Sequence, residues 1–192
     1  LEFRRVLFRS LDKDFIMKSC LVLSDLPVAY KVQNFNNDNL ARIRDKWDTI
    51  KKAIETAVDI TNMFGIDRDT LTSANALIPI AYYFMQHPGL TLRKSTALDV
   101  TNAGAVRRWF TTALLKGVFG GSSDTILTNV RDVLQKHGHD EDFPIDALGR
   151  QIGRLGRKTT FDADAIDNFL SIQYGGQLAF LALSLLYDDN NW

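Results

Sequence analysis

The chain has 192 residues, 45% of them hydrophobic and 24% charged, with 23 basic against 23 acidic side chains. These values describe a globular chain of one or two domains and exclude a disordered one. A single cysteine, Cys20, excludes an internal disulfide framework and a cysteine-rich zinc site, and the balanced charge excludes a wholly basic nucleic-acid coat while allowing a local patch.

Residues 1–10, LEFRRVLFRS, stand apart from the rest of the chain. Back-translated, Arg4 to Ser10 can be written AGA CGT GTG CTC TTC CGA TCT, which looks like a short-read sequencing adapter. A signal peptide would need a longer apolar region and a small-residue cleavage site. The segment is therefore expected to be an assembly scar. Without it the chain loses three basic and one acidic residue and turns slightly acidic. Residues 11–192 are then expected to form one helical connector domain, truncated at both ends.

Leu11 to Ser24 carries Phe15, Ile16, Cys20 and Leu23 at the three- and four-residue spacing of an amphipathic helix. Pro27 ends it, and Val28, Tyr30 and Val32 alternate over a short extended piece. Asn36-Asn37-Asp38 supplies capping side chains for the longest expected helix, Asn39 to Phe64. Its buried face reads as Leu40, Ile43, Trp47, Ile50, Ile54 and Val58, with Gly65 as the stop. The next helix opens near Thr72-Ser73 and ends at Gln86 or His87, with Pro79 expected to kink it. Leu90 to Thr101 reads as a loop with at most a turn of helix. From Gly104 to Lys116 the stripe returns as Val106, Trp109, Phe110, Ala113 and Leu114.

Gly117 to Asp124 is the clearest punctuation. Gly117 can end one helix in a left-handed conformation, and Ser122 or Ser123 can cap the next. That next helix turns Ile126, Leu127, Val130, Val133 and Leu134 inward and ends at Gly138. Pro144 starts another, with Ile145, Leu148, Ile152 and Leu155 on one face. A short helix carries Ile166, Phe169 and Leu170. Beyond Gly175-Gly176, Gln177 to Tyr187 is apolar all round and is expected at the centre of the core. Its apolar run is shorter than the ~20 residues a membrane helix needs. The expectation is an all-α fold, an irregular bundle of about eight helices, in a soluble cytoplasmic protein with no membrane partner.

Motifs for chemistry are few. No Gly-x-x-x-x-Gly-Lys phosphate loop occurs, since Gly120-Gly121 lacks the lysine. His137-Gly138-His139 with Asp140, Glu141 and Asp142 lacks the i, i+4 geometry of a helical zinc pair and reads as a solvated loop. Cys20 lies on an apolar stripe and reads as a buried structural cysteine. No catalytic residue and no metal ligand is assigned.

Two features rise above this background. Gly117, Gly120, Gly121, Ser122, Ser123 and Asp124 surround a helix start, where free N–H groups could receive a phosphate. Asp124 in the same turn repels an anion, so a structural corner is the favoured reading. Arg150, Arg154, Arg157 and Lys158 lie opposite their helix's apolar stripe at 100° per residue and make one basic face. Such a face could follow a phosphate backbone, though charge of this density more often marks a solvated surface.

Three segments together resemble a known family. They are Leu71 to Tyr83 (LTSANALIPIAYY); Arg108-Trp109-Phe110 with Ala113 to Thr125; and Tyr174-Gly175 with Ala179 to Tyr187. In this order they resemble the helical middle and C-terminal part of GmrSD-type proteins, over about Leu11 to Trp192. These proteins join a ParB-like domain to an HNH-type nuclease domain and include modification-dependent restriction endonucleases of phage defence. The resemblance implies a helical structural and regulatory module of such a nuclease, with both catalytic centres outside this chain. It implies no cofactor held here, a divalent metal and a nucleotide used by the parent protein, and flanking nuclease domains and DNA as partners. The alternatives are a stand-alone helical protein-interaction domain and, more weakly, a small-molecule enzyme with a site between helices.

Overall fold

The computed structural model describes residues 11–66, 70–92, 96–157, 159, 178–179 and 181, and seven α-helices have their bounds among them. They are α1 (Lys13–Leu23), α2 (Asn37–Asp45), α3 (Trp47–Met63), α4 (Leu77–Gln86), α5 (Ala97–Leu115), α6 (Asp124–Lys136) and α7 (Ile145–Arg154). Short 3₁₀ turns cover Val32–Phe35 and Ala74–Ala76, and no strand occurs among the described residues. The fold class is all-α. Residues 1–10, the expected helix at Ile166 to Leu170, the Tyr174 to Gly176 segment and most of Gln177 to Tyr187 lie outside the described residues. Of that last run, Ala179 and Leu181 are helical and buried.

The centre of the core is α4. Every residue from Leu77 to Phe84 is buried, so the helix is apolar all round, and it packs against α1, α3 and α6. Pro79 falls in the first turn of α4, a position that tolerates a missing amide proton, rather than in the interior where it would kink the helix.

The long helix expected from Asn39 to Phe64 is two helices. Asn36 caps α2 by accepting from the Asn39 amide at 2.9 Å, and the chain then breaks at Lys46, whose ψ of 0° leaves the helical region. The break rotates α2 away from the predicted stripe. Ile43, Ile50, Ile54 and Val58 are buried, but Leu40 and Trp47 are 40% and 43% exposed. Val28 to Val32 also differs from expectation, because Val32 opens a 3₁₀ turn and is 92% exposed.

The longest described helix is α5, which starts seven residues before Gly104. Thr96 caps it, its Oγ1 accepting from the Asp99 amide at 3.0 Å. The first two turns bury Asp99 and Asn102, with Ala103 as their one buried apolar residue. Asp99 Oδ1 accepts from the Leu92 amide at 3.1 Å. Asn102 uses both ends of its amide, accepting from the Phe143 N–H at 2.7 Å and donating to the Glu141 carbonyl at 2.8 Å. Tyr83 donates its hydroxyl to that same Glu141 carbonyl at 2.6 Å. A buried polar side chain bonded at both ends is stabilising where an unbonded one would be costly.

Candidate functional site

The glycine corner forms where α5 stops. Gly117 adopts a φ of +57°; its amide donates to the Leu114 carbonyl and the Val118 amide to the Ala113 carbonyl, the paired bonds of a left-handed helix stop. The chain then folds tightly enough that a Cβ on Gly120 would sit 3.1 Å from the Gly117 carbonyl oxygen. Gly121 is left-handed as well, at +68°. Ser123 stands at the N-cap of α6, yet its hydroxyl makes no cap bond. Its Oγ accepts instead from Asn75 Nδ2 at 3.0 Å and from Lys18 Nζ at 3.4 Å. Lys18 also forms an ion pair of 2.7 Å with Asp124. The start of α6 is thus occupied by side chains of α1 and of the turn before α4. Ser122 is exposed beside it.

The basic face is shorter than the periodicity predicts. α7 ends at Arg154, because Gly156 turns left-handed at φ +74° and the Arg157 amide closes the stop on the Ile152 carbonyl at 3.2 Å. Helical geometry therefore places only Arg150 and Arg154 on one face, both exposed. Arg157 lies past the end, and its Nη2 donates to the Gly120 carbonyl at 3.3 Å. Lys158 lies outside the described residues.

Arg150 also belongs to a feature that sequence reasoning missed. A groove of about 460 Å³ runs between α5 and α7, lined by Arg108, Trp109 and Thr112 on one side and Asp146, Gly149 and Arg150 on the other. Arg108 and Thr112 are one turn apart on α5, as are Asp146 and Arg150 on α7, so each helix presents one row to the groove. Gly149 leaves the wall without a side chain at mid-helix. None of the ion pairs among the described residues uses Arg108 or Arg150. Trp109 is 3% exposed, and its indole Nε1 is buried with no hydrogen-bond partner. Arg108 is visible in the sequence only as one charge on α5. Its meeting with Arg150 requires α5 and α7, which α6 separates along the chain, to pack together.

The remaining chemical candidates are built into local structure. His137 Nδ1 lies 2.7 Å from an Asp140 carboxylate oxygen in the turn after α6. The Glu141 backbone is held by Tyr83 and Asn102. Burial pushes the Cys20 thiol above its ordinary pKa, away from the thiolate that a nucleophile requires. Among the described residues no group of three histidine, cysteine, aspartate or glutamate side chains is placed to hold a metal ion, and no helix is long and apolar enough to cross a membrane. No family model matches the chain, and no curated protein matches it.

Proposed function

We propose that this chain is a helical structural module of a modification-dependent DNA restriction endonuclease, catalytically silent itself, with a basic edge that follows the DNA backbone. The segment resemblance supplies the family expectation. Its first two segments touch directly: Thr72 donates to the Leu114 carbonyl at 3.3 Å, and Asn75 donates to Ser123 at 3.0 Å. They are therefore packing motifs of one scaffold, as a connector needs. The observation that carries the DNA part is the exposed pair Arg150 and Arg154 on one face of α7, with no ion pair to a carboxylate among the described residues. Guanidinium groups so placed can meet successive phosphates.

The test is purified chain mixed with duplex DNA, magnesium and nucleoside triphosphate. Salt-sensitive binding without strand cleavage is expected. Metal-dependent cleavage that survives stringent purification would contradict a catalytically silent module.

A protein-interaction domain is the second reading, favoured by the exposure of Leu40 and Trp47 at the α2–α3 break. Exposed apolar side chains of this size also suit the docking of a flanking nuclease domain. Glutamate at both positions would abolish such docking and leave DNA affinity unchanged.

A further inference from the structure

We propose that the groove between α5 and α7 binds the phosphate group of a ligand, with Arg108 and Arg150 as its charge partners. The inference goes beyond the DNA-edge reading, because it needs a concave site and residues of α5 that a backbone-tracking face does not use. Three observations converge on it.

The first is charge. Arg108 and Arg150 approach one cavity from two helices, and neither joins the ion pairs of the described residues. Two guanidinium groups around a shared space repel one another unless an anion lies between them, and their planar forks match phosphate oxygens.

The second is the polar lining that the two arginines share. Thr112 and Thr159 line the same cavity and add hydroxyl groups.

The third is shape. The groove's volume of about 460 Å³ lies within the range of roughly 300–1,000 Å³ typical of small-ligand sites. Gly149 contributes to that space, since a Cβ there would meet the Thr159 hydroxyl at 3.4 Å. Among the described residues Asp146 is the one carboxylate on the lining, set against the two arginines.

A phosphate could arrive on a phosphorylated small molecule or as part of a DNA backbone, and pyrophosphate serves as the probe for both. The experiment follows the Trp109 indole resonance of the full chain, assigned by its loss in Trp109→Phe, as pyrophosphate is added. A saturable shift is expected. Arg108→Gln with Arg150→Gln should weaken it roughly tenfold or more, the scale of losing a hydrogen bond to a charged group. Asp146→Asn should tighten binding, which keeps the proposal testable if the double variant fails to fold. No saturable shift at roughly millimolar pyrophosphate overturns the site. An equal shift in a folded double variant, or unchanged affinity in Asp146→Asn, overturns it as well. Duplex DNA that displaces pyrophosphate identifies the backbone as the source. Duplex that leaves it bound identifies a small phosphorylated ligand. Arg154→Gln with Arg157→Gln leaves the groove intact, so it should keep pyrophosphate binding even where it weakens DNA binding, and the two readings fail separately.

Discussion

Arg157 donates from Nη2 to the carbonyl oxygen of Gly120, 3.3 Å away, and so ties the end of α7 to the turn between α5 and α6. The two features that stand out in the sequence are therefore neighbours in space. The bond also divides the basic residues by role. Arg157 contributes to holding the corner, while Arg150 and Arg154 stay exposed on α7, Arg154 bonded only to Gln151 Oε1 at 3.4 Å and neither in an ion pair among the described residues.

At the corner, conformation rather than contact should dominate substitution effects. A Cβ at Gly117 or Gly121 meets no atom within 4 Å, but both backbones are left-handed. Gly117→Val and Gly121→Val should each lower stability by more than ~1 kcal/mol in urea unfolding. Gly104 is the internal control. It sits inside α5 with open space around it, so Gly104→Ala should raise stability by about 0.5–1 kcal/mol.

Asn102 should be the most sensitive polar position in the core. Asn102→Leu removes the acceptor for the Phe143 amide and one of two donors to the Glu141 carbonyl. A buried amide left without its partner costs about 1–3 kcal/mol. Tyr83→Phe removes only the second donor to the same carbonyl and should cost less, about 1 kcal/mol. Equal and negligible losses in both would show that the loop from Glu141 to Phe143 is not held from α4 and α5.

The hydrophobic stripes made most of the helices readable. Val106, Trp109, Phe110, Ala113 and Leu114 are all buried in α5, and Leu148 and Ile152 are buried in α7. The misreadings come from positions where polar chemistry replaces the stripe. The start of α5 was hidden because Asp99 and Asn102 point inward, and the α2–α3 break because an apolar face continues across Lys46. At the site, Gly117 was legible from its type and position. The fate of the Ser123 hydroxyl was not, since it depends on Lys18 and Asn75, 105 and 48 residues away. The Arg108–Arg150 groove was equally hidden, because no local spacing encodes the approach of two helices.

Alkaline pH should weaken the fold through two tyrosines. Burial, followed by the hydrogen bond to Asp25, raises the Tyr82 pKa. Burial, followed by the charges of Asp142 and Glu141, raises that of Tyr83. In the unfolded chain both ionise near pH 10. Between that value and the raised folded values the unfolded state has released protons that the folded state retains, so stability falls as pH rises. The contribution is fully present below about pH 10 and is lost above it. Thermal midpoints measured from pH 8 to 11 should decline at the alkaline end, and Tyr82→Phe should make that decline shallower.

The most direct test of the DNA-contacting module is the salt dependence of duplex binding by the full chain and by the Arg150→Gln, Arg154→Gln double variant. Each phosphate contact contributes about 0.9 to the slope of log affinity against log salt. The account predicts a slope shallower by about 1–2 in the variant, with affinity reduced to a similar degree for unrelated sequences and the fold unchanged. An identical slope and affinity in a folded double variant would contradict it and leave the exposed face of α7 as a solvated surface.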